Sequence, residues 1–208
     1  MSLFDAAAFQ AETGVSRETL DRLTAYEATL RKWQPKINLV GPSTLPDAWR
    51  RHFFDSAQLF PLLPESVRVL VDLGSGAGFP GLVLSIMGVP EVHLVESDSR
   101  KCAFLREAAR AAGASVTVHN KRIEAVAPIA AAIGADVVTA RALAPLNDLL
   151  GWAYPFIQDR GAALFPKGQN VADELTDTTK YWKMRVERFD SRTDPTGTIL
   201  RVSGIARV

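Results

Sequence analysis

Cysteine occurs once in the 208 residues, at Cys102. A single thiol can form neither an internal disulfide nor a cysteine-based zinc cluster, which fits a reducing compartment. Histidine is nearly as scarce. His52, His93 and His119 show no metal-ligand spacing, and no Ser-His-Asp or Cys-His arrangement is legible, so no metal is expected. An excess of one charge sign is missing too: 24 basic residues against 23 acidic ones leave a formal net charge of +1. That balance speaks neither for nor against a polyanionic partner, and any basic face must be sought locally. No apolar run approaches the roughly 20 residues needed to span a bilayer. The start, MSLFDAAAFQAETG, carries an early Asp5 and lacks a basic-then-apolar leader pattern. These absences give the expectation of a soluble, cytoplasmic protein, and nothing in them demands more than a monomer.

What is present suits an ordinary globular core, with 47% apolar and 23% charged residues. The first 64 residues read as helical. Ser16 precedes RETLDRLTAYEATLRKW, where Leu20, Leu23, Tyr26, Leu30 and Trp33 make one apolar stripe that Pro35 ends. A second helix is expected through AWRRHFFDSAQLF, closed by Pro61 and Pro64. From residue 65 the pattern changes to strand-like runs separated by single helices: SVRVLVDL, EVHLVE, SVTVH, DVVTA and GAALFP. Such alternation means βαβ units and a parallel sheet with right-handed crossovers. At the end, KMRVERFD and GTILRVSGIARV are joined by Asp194-Pro195-Thr196-Gly197 with no helix between, so an antiparallel hairpin is expected. The expected fold class is therefore α/β and Rossmann-like, one structural domain in which a helical extension (1–64) packs on the α/β core (65–208).

The richest segment is Asp72-Leu73-Gly74-Ser75-Gly76-Ala77-Gly78-Phe79-Pro80-Gly81, after the first strand and before a helix. Glycines let the chain turn sharply and let a ligand touch the backbone, and the helix behind offers free N–H groups. The loop fits two patterns. Gly76-Ala77-Gly78-Phe79-Pro80-Gly81 matches the dinucleotide fingerprint, and Asp72 with Gly74, Gly76 and Gly78 matches the acid-led loop of methyltransferases. A carboxylate at Asp72 would repel a pyrophosphate but suits the cationic amino-acid end of S-adenosylmethionine, and Pro80 costs the loop an amide donor. Glu96, at the end of the second strand, stands where an acid accepts hydrogen bonds from ribose hydroxyls; a helix cap is its plainer reading. Ile123 and Glu124 follow the third strand, where an adenine would lie.

Two cations mark the same rim. Arg141 follows the fourth strand, between small residues, and Lys167 follows the fifth in Leu164-Phe165-Pro166-Lys167-Gly168. Beside a cofactor that already carries a sulfonium, they suggest an electron-rich or anionic substrate such as nucleic acid. Further basic groups (Arg31, Lys32, Lys36; Arg50, Arg51, His52; Arg100, Lys101; Lys121, Arg122) read as solvated helix faces or as phosphate contacts.

With INLV, RHFFDS, TARALAPL and LFPKG, the segment DLGSGAGFPGLVLSI resembles the RsmG (GidB) family of 16S rRNA guanine-N7 methyltransferases, from about residue 20 onward. The resemblance implies a class I methyltransferase fold and S-adenosyl-L-methionine as cofactor. It implies a pocket that includes Gly74, Phe79, Ile123, Glu124 and Arg141, to which the loop reading adds Asp72, Ser75, Gly76, Gly78 and Glu96. The implied partner is 16S rRNA or the small ribosomal subunit, methylated at N7 of guanine 527 in the 530 loop. Ala140 departs from the serine that many members carry before the arginine. Guanine N7 has a free lone pair, so Arg141 and Lys167 are expected to position the substrate and no general base is expected.

Overall fold

The computed structural model describes residues 4–158 and 160–208, without the side chains of Ala127 and Ile129. Helix α1 (Ala6–Thr13) opens on Asp5, whose carboxylate accepts from Ala8 N at 2.9 Å, and buries Phe9. Helix α2 (Arg17–Trp33) starts at the expected cap, where Ser16 Oγ accepts from Thr19 N at 3.1 Å, and it buries Leu23, Tyr26 and Leu30.

The second expected helix is broken. The chain runs through a 3₁₀ turn (Pro42–Asp47), a π-helical turn (Trp49–Phe54) and the short α3 (Asp55–Ala57), then a 3₁₀ turn (Phe60–Leu62). The wider π turn lets Trp49, His52, Phe53 and Phe54 all bury. A regular α-helix would turn Phe54 away from Trp49, so core packing overrides the regular period here.

The core follows as β1 (Val69–Leu73), α4 (Gly81–Met87), β2 (Glu91–Glu96), α5 (Ser99–Ala111), β3 (Val116–Asn120) and α6 (Ala127–Ile133). It continues with β4 (Val137–Ala140), α7 (Leu146–Ile157), β5 (Ala162–Lys167), α8 (Val171–Thr178), β6 (Trp182–Asp190) and β7 (Thr198–Arg207). The seven-stranded sheet has the order β3-β2-β1-β4-β5-β7-β6. The first five strands are parallel, and β7 pairs antiparallel with both β5 and β6, as the hairpin signal predicts. From β1 the chain winds outward to β3, then returns to the other side of β1 as β4. The crevice beyond the carboxyl ends of β1 and β4 is thus the switch point at which open α/β sheets bind ligands.

One face of the sheet is covered by α6, α7 and α8. The other is covered by α4, α5 and the N-terminal elements together, with Phe9, Tyr26 and Phe53 in one hydrophobic cluster with Leu70, Phe79 and Phe104. The N-terminal elements supply part of that layer. Among the described residues no helix is long and apolar enough to cross a membrane.

Candidate functional site

The glycine loop turns out of β1 at the switch point, and its shape is fixed from below. Asp72 is fully buried; its Oδ1 accepts from Thr139 Oγ1 at 2.8 Å and its Oδ2 from Gly81 N at 3.2 Å. The Asp72 carboxylate therefore ties β1 to β4 and to the start of α4, beneath the loop rather than on its open face. Burial raises its pKa to about 6, against the lowering effect of those hydrogen bonds. Ser75 Oγ donates to the Asp72 carbonyl at 2.9 Å. A Cβ at Gly81 would stand 2.7 Å from Asp72 Cβ, so only glycine allows the helix to approach the strand this closely. Gly78 has φ +92°, and a Cβ there would lie 2.8 Å from the Tyr26 hydroxyl. That hydroxyl, on α2, donates to the Ala77 carbonyl within the loop.

Glu96 is buried at the end of β2, with Oε2 accepting from Gly76 N at 2.9 Å and Oε1 from Asp98 N at 2.8 Å. Each oxygen keeps a second lone pair for a ligand hydroxyl. Asp98, not Glu96, caps α5 through Oδ1, which accepts from Arg100 N and Lys101 N.

Beyond β4, Arg141 is held by the π turn and α3. Its Nη1 donates to Asp55 Oδ2 and to the Arg51 carbonyl, each at 3.1 Å, and its Nη2 donates to His52 Nδ1 at 3.2 Å. Its Cζ sits 5.3 Å from the centroid of the Phe79 ring, on which the His52 ring also stacks at 5.1 Å. A guanidinium only donates, so Nδ1 of His52 is the acceptor and the ring proton sits on Nε2, 2.8 Å from Thr44 Oγ1. Burial, then Arg141 and Arg51, push the His52 pKa down to about 3, so the ring is neutral at physiological pH. Asp55 is fixed in turn by Thr193 Oγ1 and Gln58 Nε2, which both donate to its Oδ1. Ala142, next in the chain, adopts φ +50°, a conformation that costs a non-glycine residue strain.

Two clefts meet at this arginine. One, of about 390 Å³, is walled by the loop backbone from Gly74 to Ala77, by Leu39, Val40 and Phe79, and by Arg141. The other, of about 250 Å³, contains Lys167 and Glu174 with Ala144, Leu149, Pro166 and Ile199. Asp55, Arg141, Ala142 and Asp194 belong to both. A larger groove of about 550 Å³ around Trp152, Tyr181 and Arg207 shares no residue with either. The first cleft combines loop backbone, apolar walls and a pinned cation, with the Glu96 carboxylate tied to its Gly76 amide. That donor set fits the amino acid, the sulfonium and the ribose of S-adenosylmethionine.

The sequence model of the GidB family, described as rRNA small subunit methyltransferase G, matches residues 19–194. The chain belongs to the GidB family. Two relatives named ribosomal RNA small subunit methyltransferase G agree over nearly all of both chains. That of Rhodospirillum centenum is 66% identical, over 98% of this chain and 92% of the relative. That of Paramagnetospirillum magneticum is 61% identical, over 94% of each. Among solved structures, cofactor-bound Rv0187 from MTB shares the fold with a TM-score of 0.60 at 16% identity, over 97% of each chain. TYW2 of M. jannaschii in complex with AdoMet does so with a TM-score of 0.56 at 16% identity, over 74% of this chain and 75% of that one. As a GidB-family protein the chain is an S-adenosylmethionine-dependent methyltransferase, and its mostly parallel sheet with a C-terminal antiparallel hairpin is the fold expected.

Of the residues singled out in the sequence, Gly74, Ser75, Gly76, Phe79 and Arg141 line the 390 Å³ cleft. Asp72 and Gly78 lie behind the loop, and Glu96 holds its Gly76 amide. Ile123 and Glu124 form a 3₁₀ turn after β3, with Ile123 half-buried and Glu124 exposed. Neither is among the residues lining that cleft. Lys167 lines the second cleft, where its Nζ meets Glu174 Oε2 at 2.6 Å and the Ala144 carbonyl at 3.1 Å. Sequence reasoning missed Asp55 and Thr193, and it counted His52 only among the basic groups, not as a partner of Arg141. Asp55 entered only through RHFFDS in the family resemblance, and a contact between His52 or Asp55 and Arg141 spans 89 and 86 positions. Among the described residues no group of three or more His, Cys, Asp or Glu could hold a metal ion.

Proposed function

We propose that this chain transfers a methyl group from S-adenosylmethionine to N7 of a guanine in 16S rRNA, at position 527 in the 530 loop, by direct in-line transfer without a general base. The observation that carries the reading is Arg141, pinned on the wall common to two clefts, one suited to the cofactor and the other to a single base. The cofactor supplies an electrophilic methyl group on a sulfonium. Gly74, Ser75, Gly76 and Phe79 line its cleft, Asp72 and Gly78 keep the loop in shape, Glu96 accepts from the ribose, and Ile123 and Glu124 flank the adenine. Among the described residues Arg141 makes three hydrogen bonds and keeps Nε–H and one Nη2–H, and these serve the cofactor carboxylate. They do not compete for N7, the nucleophile.

This reading calls for no general base. His52 is the only imidazole at the junction, and both its nitrogens are engaged, by Arg141 and Thr44. N7 needs no proton removed, so aligning the two reactants is the larger part of the task. In A-form RNA the N7 edge lies in a deep, narrow groove, so the target base must be turned out of any helix. The enzyme acts as a cytoplasmic monomer on the small ribosomal subunit or its RNA, with the first 64 residues as a fixed extension of the methyltransferase core.

The test is transfer of labelled methyl from S-adenosylmethionine to small subunits lacking N7-methylguanosine, with the modified base mapped. Label at position 527 is the expected result. Label on another base, or on ribosomal protein, would move the substrate assignment while leaving the cofactor cleft in place.

A further inference from the structure

The polar end of the second cleft is an ion pair that the cofactor reading does not use. Lys167 and Glu174 come from β5 and α8, and their side chains are 10% and 25% exposed. Glu174 Oε2 accepts from Lys167 Nζ at 2.6 Å and from Leu146 N at 2.7 Å. Both in-plane lone pairs of Oε2 are thus engaged. Among the described residues Oε1 has no protein donor, so it remains free to accept. Lys167 Nζ has three hydrogens; Glu174 and the Ala144 carbonyl take two of them. The pair therefore offers one N–H donor beside one carboxylate acceptor, between apolar walls formed by Ala144, Leu149, Pro166 and Ile199.

We infer that Lys167 and Glu174 read the target base as guanine. This rests on the proposed activity and deepens it. Guanine carries an acceptor, O6, next to a donor, N1–H, with the 2-amino group beyond. The free hydrogen of Lys167 meets O6 and Glu174 Oε1 accepts from N1–H. Adenine presents the opposite order, an amino donor beside the N1 acceptor, which would set donor against donor and acceptor against acceptor. Rejection on that basis is stronger than rejection by shape, because a mismatched base leaves buried polar groups unpaired. With O6 turned to Lys167, the adjacent N7 edge lies toward the Arg141 wall and the cofactor cleft. Glu174 then has two duties, capping the first turn of α7 through Leu146 N and selecting the base.

The two duties separate in one experiment. Small subunits would be reconstituted with 16S rRNA carrying guanosine or 2-aminopurine riboside at the target position. 2-Aminopurine keeps N7 and the 2-amino group but lacks O6 and has an acceptor at N1. Methylation kcat/KM would be measured on both substrates for the wild-type protein, Glu174→Gln and Lys167→Met, and thermal stability for each protein. Glu174→Gln can still accept from Leu146 N, and its amide can donate to an N1 acceptor. Its ratio of guanine to 2-aminopurine rates should fall at least about tenfold below wild type, within the range of one base-edge contact. Comparing ratios removes the intrinsic difference in N7 reactivity between the two purines. A fall in melting temperature with the ratio unchanged would assign Glu174 a structural role only and overturn the inference. Failure of the wild-type protein to methylate the guanosine subunits would instead overturn the proposed activity.

Discussion

At the scale of single residues the site depends on groups that act through others. Asp55 touches no ligand in the arrangement proposed here, yet it holds Arg141 at 3.1 Å with both side chains about four-fifths covered. Removing its charge in Asp55→Asn leaves the guanidinium partly desolvated without a counter-ion. The expected cost is about 1–2 kcal/mol of stability, less than for a fully buried pair, with roughly a tenfold loss in methylation efficiency. Thermal unfolding and kcat/KM would check it, and unchanged values for both would remove Asp55 from the site. Asp72 makes a pH prediction. Its folded pKa of about 6 lies above the ordinary value of 3.8, so its contribution is fully present below about pH 4 and is lost as pH rises to about 6. The shift corresponds to roughly 3 kcal/mol. Asp72→Asn preserves the shape and can keep both hydrogen bonds. The stability of wild type minus that of the variant should therefore decline between pH 4 and 6 and be level above. A difference flat from pH 4 to 8 would mean that the carboxylate titrates normally.

At the scale of elements, α2 serves the loop. Tyr26→Phe removes a buried hydroxyl from the Ala77 carbonyl and leaves an acceptor unpaired, worth about 1–2 kcal/mol. Calorimetry should show weaker S-adenosylmethionine binding, by about threefold to tenfold, in a protein whose far-UV spectrum is unchanged. Equal affinity would mean that the loop holds its shape without the brace. The same scale shows what the sequence could disclose. VLVDL and EVHLVE read as strands because β-branched and apolar runs buried on both faces have no other ready use. Ser16 announced α2 because a cap is a local device. Helix α8, in contrast, is only eight residues long, with Leu175 and Thr178 buried, too short a stretch for its apolar spacing to mark a helix in the sequence. The π turn is invisible for a different reason: Trp49, His52, Phe53 and Phe54 all face inward only because Phe9, Tyr26 and Phe79 surround them. The glycine loop and Arg141 could be picked out as local punctuation at strand ends. Asp55, Thr193 and Glu174 could not, since their partners are set by tertiary contact.

At the scale of the whole molecule, the N-terminal elements and the sheet share one hydrophobic cluster. Unfolding in urea should therefore be a single transition, superimposable by fluorescence and circular dichroism. A chain starting at residue 65 should keep secondary structure but lose near-ultraviolet dichroism and bind a hydrophobic dye. A stable, cooperatively folding 65–208 fragment would refute this.

The shared wall has a thermodynamic corollary. Asp55, Arg141, Ala142 and Asp194 border both clefts, so neither cleft can adjust these residues without the other registering it. Occupancy of one side then carries a coupling free energy to the other, and linkage makes it reciprocal. Whatever factor the cofactor contributes to the grip on RNA, RNA must return to the cofactor. Bound as proposed, the methylated base and the spent cofactor would meet at one wall, and each would change the other's affinity by the same factor.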